Sequence, residues 1–287
     1  MDVQDLYWRS REGLRLHARD YAPAATAVPD RLPVICIPGL TRNSADFEEL
    51  ATWIAAKGHR VLAVDLRGRA GSEYGARSRY RPPVYADDVL ALMRQEGIAR
   101  AVFIGTSLGV LVTMTVASKR RDAVAAAVLN DAGPEVPEQA LQRIAAYAGK
   151  PVPPMRRDEA AAYIQRIAQP VYPRYGQAEW DAMVARTFRV RDDGLWVLDY
   201  DPAIVRTINP WMLRLLKPLL WHAYRKLARG CRVLLVRGQT SDILTAELAQ
   251  RMLAAAPGTT LAEVPDVGHA PSLSEPEARQ AIAQLLA

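Results

Sequence analysis

Six short, nearly uninterrupted apolar runs, separated by stretches of helical periodicity, constrain this chain more than any other feature. The runs are Val34–Ile37, Val61–Val64, Ala101–Ile104, Val124–Leu129, Arg232–Val236 and Thr260–Val264. Between most of them lie amphipathic stretches, Ala45–Ala56, Tyr85–Gln95, Leu108–Ser118, Thr245–Ala255 and Pro276–Leu286. A strand that is apolar on both sides must be covered on both sides. The alternation therefore predicts a parallel sheet with helices on each face. Two segments of alternating polarity come first, Val3–Arg9 and Leu14–Tyr21, split by Arg11-Glu12-Gly13, and predict a β-hairpin. An Ala- and Pro-rich loop, residues 22–32, follows it. The fold class expected is α/β, with a mostly parallel sheet of eight strands.

The alternation fails once. Between Gly133 and about Pro218 the chain has helix-like stretches and no parallel-sheet strand, and it carries the cluster Pro151-Val152-Pro153-Pro154. Three of the six tryptophans, Trp180, Trp196 and Trp211, fall here. The expected organisation is a sheet domain over residues 1–132 and 219–287. A helical lid over residues 133–218 is then inserted after the sixth strand. A chain of 287 residues is long for one domain, but large α/β sheets reach that size as a single unit.

The segment richest in chemistry is Val102-Phe103-Ile104-Gly105-Thr106-Ser107-Leu108-Gly109, where an apolar strand runs into Gly-x-Ser-x-Gly and a helix starts at once. A turn this sharp lifts the serine hydroxyl clear of the backbone, and small residues on either side let neighbouring chain pass close by. The helix start then aims free N–H groups at the place where an oxyanion would form. With 17 glycines in the chain, chance supplies roughly 0.03 such matches, and the strand–helix context lowers that further. Ser107 is therefore read as a nucleophile and not as a plain helix cap.

With that turn in place, the sequence resembles the α/β-hydrolase fold family over nearly its whole length. Ile37-Pro38-Gly39-Leu40 is similar to the family's oxyanion loop, and Asp65-Leu66-Arg67-Gly68-Arg69-Ala70-Gly71-Ser72 to its D-x-R-G-x-G-x-S loop. Leu129-Asn130-Asp131-Ala132-Gly133-Pro134-Glu135 resembles the sixth-strand exit of lidded members, especially those akin to enol-lactonases and small carboxylesterases. Three positions depart from the pattern. Pro38 stands where many members have His, Ala70-Gly71 displaces a glycine by one, and Val110 replaces a second glycine after Gly109.

The resemblance also implies the chain order nucleophile, acid, base. Of the four histidines, His17 and His59 precede Ser107, and His222 lies in a basic helical stretch. His269, in the loop Val267-Gly268-His269-Ala270-Pro271 between the last strand and the last helix, is the expected base. The expected acid is Asp242, in the loop after the strand ending at Val236, with Asp131 as the rival and Asp266 a brace for the histidine loop. The backbone N–H groups of Leu40 and Leu108 would form the oxyanion hole. Trp180, Trp196 and Trp211 are candidates for the substrate pocket, although packing within the lid is an equal reading of them.

The activity implied is hydrolysis of a carboxylic ester or lactone through an acyl-serine. A carbon–carbon bond hydrolase of ring-fission products is the alternative within the class, and a ligand-binding receptor retaining the triad is the alternative outside it. The histidines are scattered and no phosphate-binding glycine loop is present, so no metal or other cofactor is expected. The two cysteines, Cys36 and Cys231, sit in or beside strand-like runs and read as reduced core residues. No basic-then-apolar leader and no run of membrane-spanning length is visible, which makes a cytoplasmic protein the expectation.

The net charge of +6 has a local source. From Ala203 to Ser241 there is no Asp or Glu, whereas Arg206, Arg214, Lys217, Arg225, Lys226, Arg229, Arg232 and Arg237 are all cationic. No nucleic-acid signature accompanies them. Trp211–Trp221 mixes large apolar residues with cations, as interfacial helices do. It reads instead as a connector from lid to sheet that buries its apolar side, so membrane docking is not expected. Pro218 should break or kink any helix there.

Overall fold

A computed structural model describes residues 3–24, 31–207 and 210–287. Most of the Ala- and Pro-rich loop, residues 25–30, lies outside the described residues. The strands and helices follow in chain order. The hairpin is β1 (Val3–Arg9) and β2 (Arg15–Tyr21). Then come β3 (Val34–Ile37), α1 (Glu48–Ala56), β4 (Val61–Asp65), α2 (Pro82–Gln95), β5 (Ala101–Thr106), α3 (Leu108–Lys119) and β6 (Val124–Asn130). An insertion holds α4 (Glu138–Tyr147), α5 (Arg157–Ala168), α6 (Gln177–Thr187) and a short hairpin, β7 (Phe188–Val190) with β8 (Trp196–Leu198). The chain returns through α7 (Pro210–Ala228) and ends with β9 (Arg232–Gly238), α8 (Ala246–Ala255), β10 (Thr259–Val264) and α9 (Pro276–Leu286).

Eight strands form one sheet in the order β1-β2-β4-β3-β5-β6-β9-β10. The pairs β1–β2 and β2–β4 are antiparallel and every later pair is parallel. Alternation along each buried strand divides the core into two layers. Ile35, Ile37 and Phe103 face the layer with Val89, Met93, Val112, Tyr224 and Met252 from α2, α3, α7 and α8. Val34, Cys36, Val102 and Ile104 face Leu50, Ile54, Ile282 and Leu285 from α1 and α9. This is the two-sided cover that continuous apolar strands require. Cys36 is buried in β3 and Cys231 half-buried just ahead of β9, and the two thiols are not bonded to each other.

The insertion has a small core of its own, formed by Met155, Ala160, Ile164, Trp180, Met183, Val184 and Phe188. It is tied to loops at the carboxyl ends of the strands. Asn43 Nδ2 donates to the Arg186 carbonyl at 2.9 Å, and the Tyr172 hydroxyl donates to the Ala270 carbonyl at 2.6 Å. The Gly268 N–H donates to the Val171 carbonyl at 2.9 Å.

Two expectations for the return segment need correction. The helix α7 runs through Pro218 unbroken, so a domain limit at 218/219 falls inside one element. The carbonyl that loses its donor to the proline belongs to Arg214, and both residues are exposed, where water supplies the missing bond. The apolar side of the segment is not buried either. Trp221, Tyr224 and Leu227 pack into the core, but Trp211, Leu215 and Leu219 are 73%, 80% and 61% exposed. No helix among the described residues is long and apolar enough to cross a membrane.

Candidate active site

Ser107 sits between β5 and α3 at φ +54° and ψ −110°, a conformation unfavourable for a residue with a side chain. Its neighbours explain how the turn closes. A Cβ on Gly109 would lie 2.1 Å from the Ile37 carbonyl oxygen, and one on Gly105 would lie 2.4 Å from the Gly109 carbonyl oxygen. Neither position admits a side chain without moving backbone. The Ser107 N–H donates to the Asn130 carbonyl at 2.9 Å, tying the turn to the end of β6. The hydroxyl stands clear, 2.9 Å from His269 Nε2.

His269 Nδ1 lies 2.8 Å from Asp131 Oδ2. A carboxylate only accepts, so Nδ1 carries the proton and Nε2 is left to accept from Ser107. Asp131 follows β6 directly and is fully buried. Besides His269 it accepts from the Gly238 N–H at 2.9 Å and from the Ser241 hydroxyl at 2.6 Å. These donors fix the plane of the carboxyl group.

Asp242 is not the carboxylate on His269. The turn closed by the Ser241 N–H on the Gly238 carbonyl points Ser241 inward to Asp131 and sends Asp242 outward. There Arg143 of α4 grips it with Nε and Nη2, each at 2.7 Å. Burial works against the charged form of Asp242, but Arg143 outweighs it and holds the carboxyl below its ordinary range. Asp266 is held by Arg174 at the rim and accepts no bond from His269.

The histidine reaches Asp131 because its loop crosses the end of β9. A Cβ on Gly238 would be 2.3 Å from the Gly268 carbonyl oxygen, so the crossing needs glycine. The Thr240 N–H to the Val267 carbonyl at 3.0 Å and Asn130 Nδ2 to the Pro271 carbonyl at 2.9 Å lace the loop down. Asn130, Gly238 and Ser241 were not singled out in the sequence. The Asn130-Asp131 pair at the end of an apolar strand beside the nucleophile's strand was the available signal.

Leu108 is the first residue of α3, where N–H groups lack an intrahelical acceptor. Leu40 lies in the loop after β3, and a Cβ on the adjacent Gly39 would be 3.6 Å from that of Ser107. Both expected oxyanion donors thus belong to segments beside the serine.

Ser107 and His269 open into a cavity of about 680 Å³ between the sheet edge and the insertion. Its walls include Ile144, Tyr147, Ile164, Ile167, Tyr172 and Met183, with Arg42, Arg143, Arg174 and Arg186 as cations. None of the three tryptophan candidates lines it. Trp180 is buried in the insertion's core and Trp196 packs against it, since such large rings are best covered there. Trp211 borders a separate hollow of about 320 Å³. Arg42 is half-buried and engaged by Asp46 and the Thr187 hydroxyl. Burial opposes its charge, but Asp46 more than compensates.

Comparison with known proteins supplies the family. The profile of the alpha/beta hydrolase family matches residues 34–282. A 3-hydroxybutyrate-oligomer hydrolase of Cupriavidus necator is 33% identical over 250 residues, 85% of this chain and 84% of the relative. A 2-(acetamidomethylene)succinate hydrolase of Mesorhizobium japonicum is 28% identical over 242 residues, covering 83% and 82%. The crystal structure of an alpha/beta hydrolase from Novosphingobium aromaticivorans superposes with a TM-score of 0.89 at 41% identity, over 99% of this chain and 98% of that one. The chain is a hydrolytic enzyme and belongs to the alpha/beta hydrolase family.

Proposed function

We propose that the protein hydrolyses carboxylic esters or lactones through an acyl-serine, with Ser107 as nucleophile, His269 as base and Asp131 as the acid that orients it. The observation carrying this reading is the continuous relay from Asp131 Oδ2 through His269 to the Ser107 hydroxyl, at 2.8 and 2.9 Å. Ser107 Oγ attacks the ester carbonyl while its proton passes to His269 Nε2, and Asp131 stabilises the imidazolium. The backbone N–H groups of Leu40 and Leu108 receive the oxyanion. His269 then protonates the departing alkoxide as its bond to carbon breaks. Water, deprotonated by the same imidazole, attacks the acyl-serine, and the carboxylic acid leaves with Ser107 restored.

The insertion acts as a lid in this reading, because the walls of the cavity opposite Ser107 come from α4, α5 and α6. The relative named for 3-hydroxybutyrate oligomers, which are linear esters, supports ester chemistry here. The test is labelling by a fluorophosphonate probe together with turnover of nitrophenyl esters. Both should be present in the native chain and absent from folded Ser107→Ala. Labelling that survives the substitution removes Ser107 from the mechanism. Offering an enol-lactone beside a vinylogous diketone separates ester cleavage from carbon–carbon cleavage.

A further inference from the structure

We propose that the pocket selects an acyl group ending in a carboxylate, and that Arg143, held by Asp242, is the residue that binds it. The proposal rests on the ester-hydrolase reading above and adds a substrate class to it. It starts from an oddity of the site. Ester hydrolysis through a serine needs no guanidinium, yet Arg143 stands on the wall of the cavity that holds Ser107 and His269, next to the aliphatic Ile144, Ile164 and Ile167.

The way Arg143 is held suits a binding role. Asp242 takes Nε and Nη2 from behind, and Asp242 itself is not part of the cavity wall. A two-point grip of this kind fixes the plane of the guanidinium and removes the rotamer freedom that weakens most arginine contacts. It leaves Nη1 outside the grip, and the Tyr147 side chain, on the same cavity wall, interacts with the guanidinium. Burial raises the pKa of Tyr147, so the phenol remains an O–H donor. An arginine N–H beside a tyrosine O–H, next to Ile144, Ile164 and Ile167, is a donor pair matched to the two oxygens of a carboxylate.

Of the other cations of the cavity, two are already engaged. Arg42 gives its donors to Asp46 and Thr187. Arg174 is exposed at the rim and paired with Asp266. Arg186 has its Nε 3.7 Å from Asp46 Oδ1, beyond hydrogen-bond distance, and is the competing anchor that the experiment includes. The Tyr172, Asn43 and Gly268 bonds tie down the part of the insertion that holds Val171, Tyr172 and Arg186. A strut is the competing account of the Arg143–Asp242 pair, and the experiment is chosen to separate the two.

Nitrophenyl monoesters of succinic, glutaric and adipic acid are compared with their terminal-amide isosteres, which have the same shape without the charge. In the full-length native chain, at least one acidic ester should exceed its isostere in kcat/KM by about tenfold or more, with the difference in KM. Arg143→Gln should lower that ratio about tenfold to a hundredfold, as loss of a charge-assisted bond does, and Arg143→Lys should retain part of it. A native ratio near one at all three lengths overturns the proposal. So does a ratio that Arg143→Gln leaves intact, or one that collapses with Arg186→Gln instead. A strut would depress both esters alike and leave the ratio alone. Calorimetric titration of glutarate and glutaramate into Ser107→Ala protein reads the anchor without turnover. Equal affinities there count against the anchor. Absence of turnover with either ester, while glutarate still binds better, counts against the ester-hydrolase reading alone.

Discussion

Replacing Asp131 by Asn tests the relay most directly, because the side chain keeps its shape and changes only what it can accept. Asp131 meets three donors: Gly238 N–H on Oδ1, and the Ser241 hydroxyl and His269 Nδ1 on Oδ2. An asparagine has one oxygen. Placed on Gly238, which has no freedom to turn away, it leaves the amide nitrogen facing Ser241 and His269. The serine hydroxyl can rotate and accept. His269 can satisfy that nitrogen only by accepting at Nδ1, which moves the ring proton to Nε2 and ends its ability to take the proton of Ser107. The same exchange in other serine triads costs about 10⁴ in kcat, equivalent to ~5.5 kcal/mol of transition-state stabilisation. Stability should fall far less, by about 1–3 kcal/mol for one buried bond disturbed. Steady-state hydrolysis of a nitrophenyl ester, with thermal melts of the same preparations, measures both. Asp242→Asn is the control and should cost much less with a neutral ester. A loss below tenfold for Asp131→Asn, or a larger one for Asp242→Asn, refutes the assignment of Asp131.

Three further outcomes are expected. Gly238→Ala should push the His269 loop off its crossing point, because its Cβ would sit 2.3 Å from one backbone oxygen and 2.5 Å from another. Turnover should fall about a hundredfold, as displacement of ~1 Å does, and a variant with native kcat would show that the loop is not held there. Trp180→Ala should lower stability by roughly 3–5 kcal/mol through the cavity it leaves without reordering acyl chain-length preference, whereas a reordered preference in the folded variant would return Trp180 to the pocket. His17 is held between Asp65 and Asp5, at 2.6 and 2.9 Å. Burial works against its charge, but the two carboxylates outweigh it and raise its pKa above the ordinary 6.5. The stability this contributes is therefore full below about pH 6.5 and lost as pH rises through the higher folded value. His17→Gln should flatten the decline in melting temperature between mildly acid and alkaline pH, and an unchanged decline would sink the assignment.

What the sequence determined by itself follows from local physics. Apolar runs such as Ala101–Ile104 and Val124–Leu129 are explicable only as strands covered on both faces, and in the structure they lie within β5 and β6 at the centre of the sheet. The turn at Ser107 was legible for the same reason: the glycines at 105 and 109 are demanded by backbone lying within 2.1–2.4 Å of where their side chains would be. The expectation for His269 took the chain order that the family resemblance implies, which left His222 and His269, and the loop context of the second.

The partner of that histidine was not legible, because it depends on which loop crosses which strand end. Asp242 and Asp131 both sit in loops after apolar strands, and nothing within either segment tells them apart. The choice is made where the β10 loop passes over Gly238 and descends on Asp131, while a tight turn sends Asp242 out to Arg143. The two readings of the tryptophans, and the limit near Pro218, were open in the sequence for the same reason. Whether a large ring faces a cavity or a neighbouring helix is a property of packing, and so is the end of a domain inside a helix whose second half is needed by the core. Contacts between residues distant in the chain are set by the assembled sheet, and only its tertiary geometry could decide them.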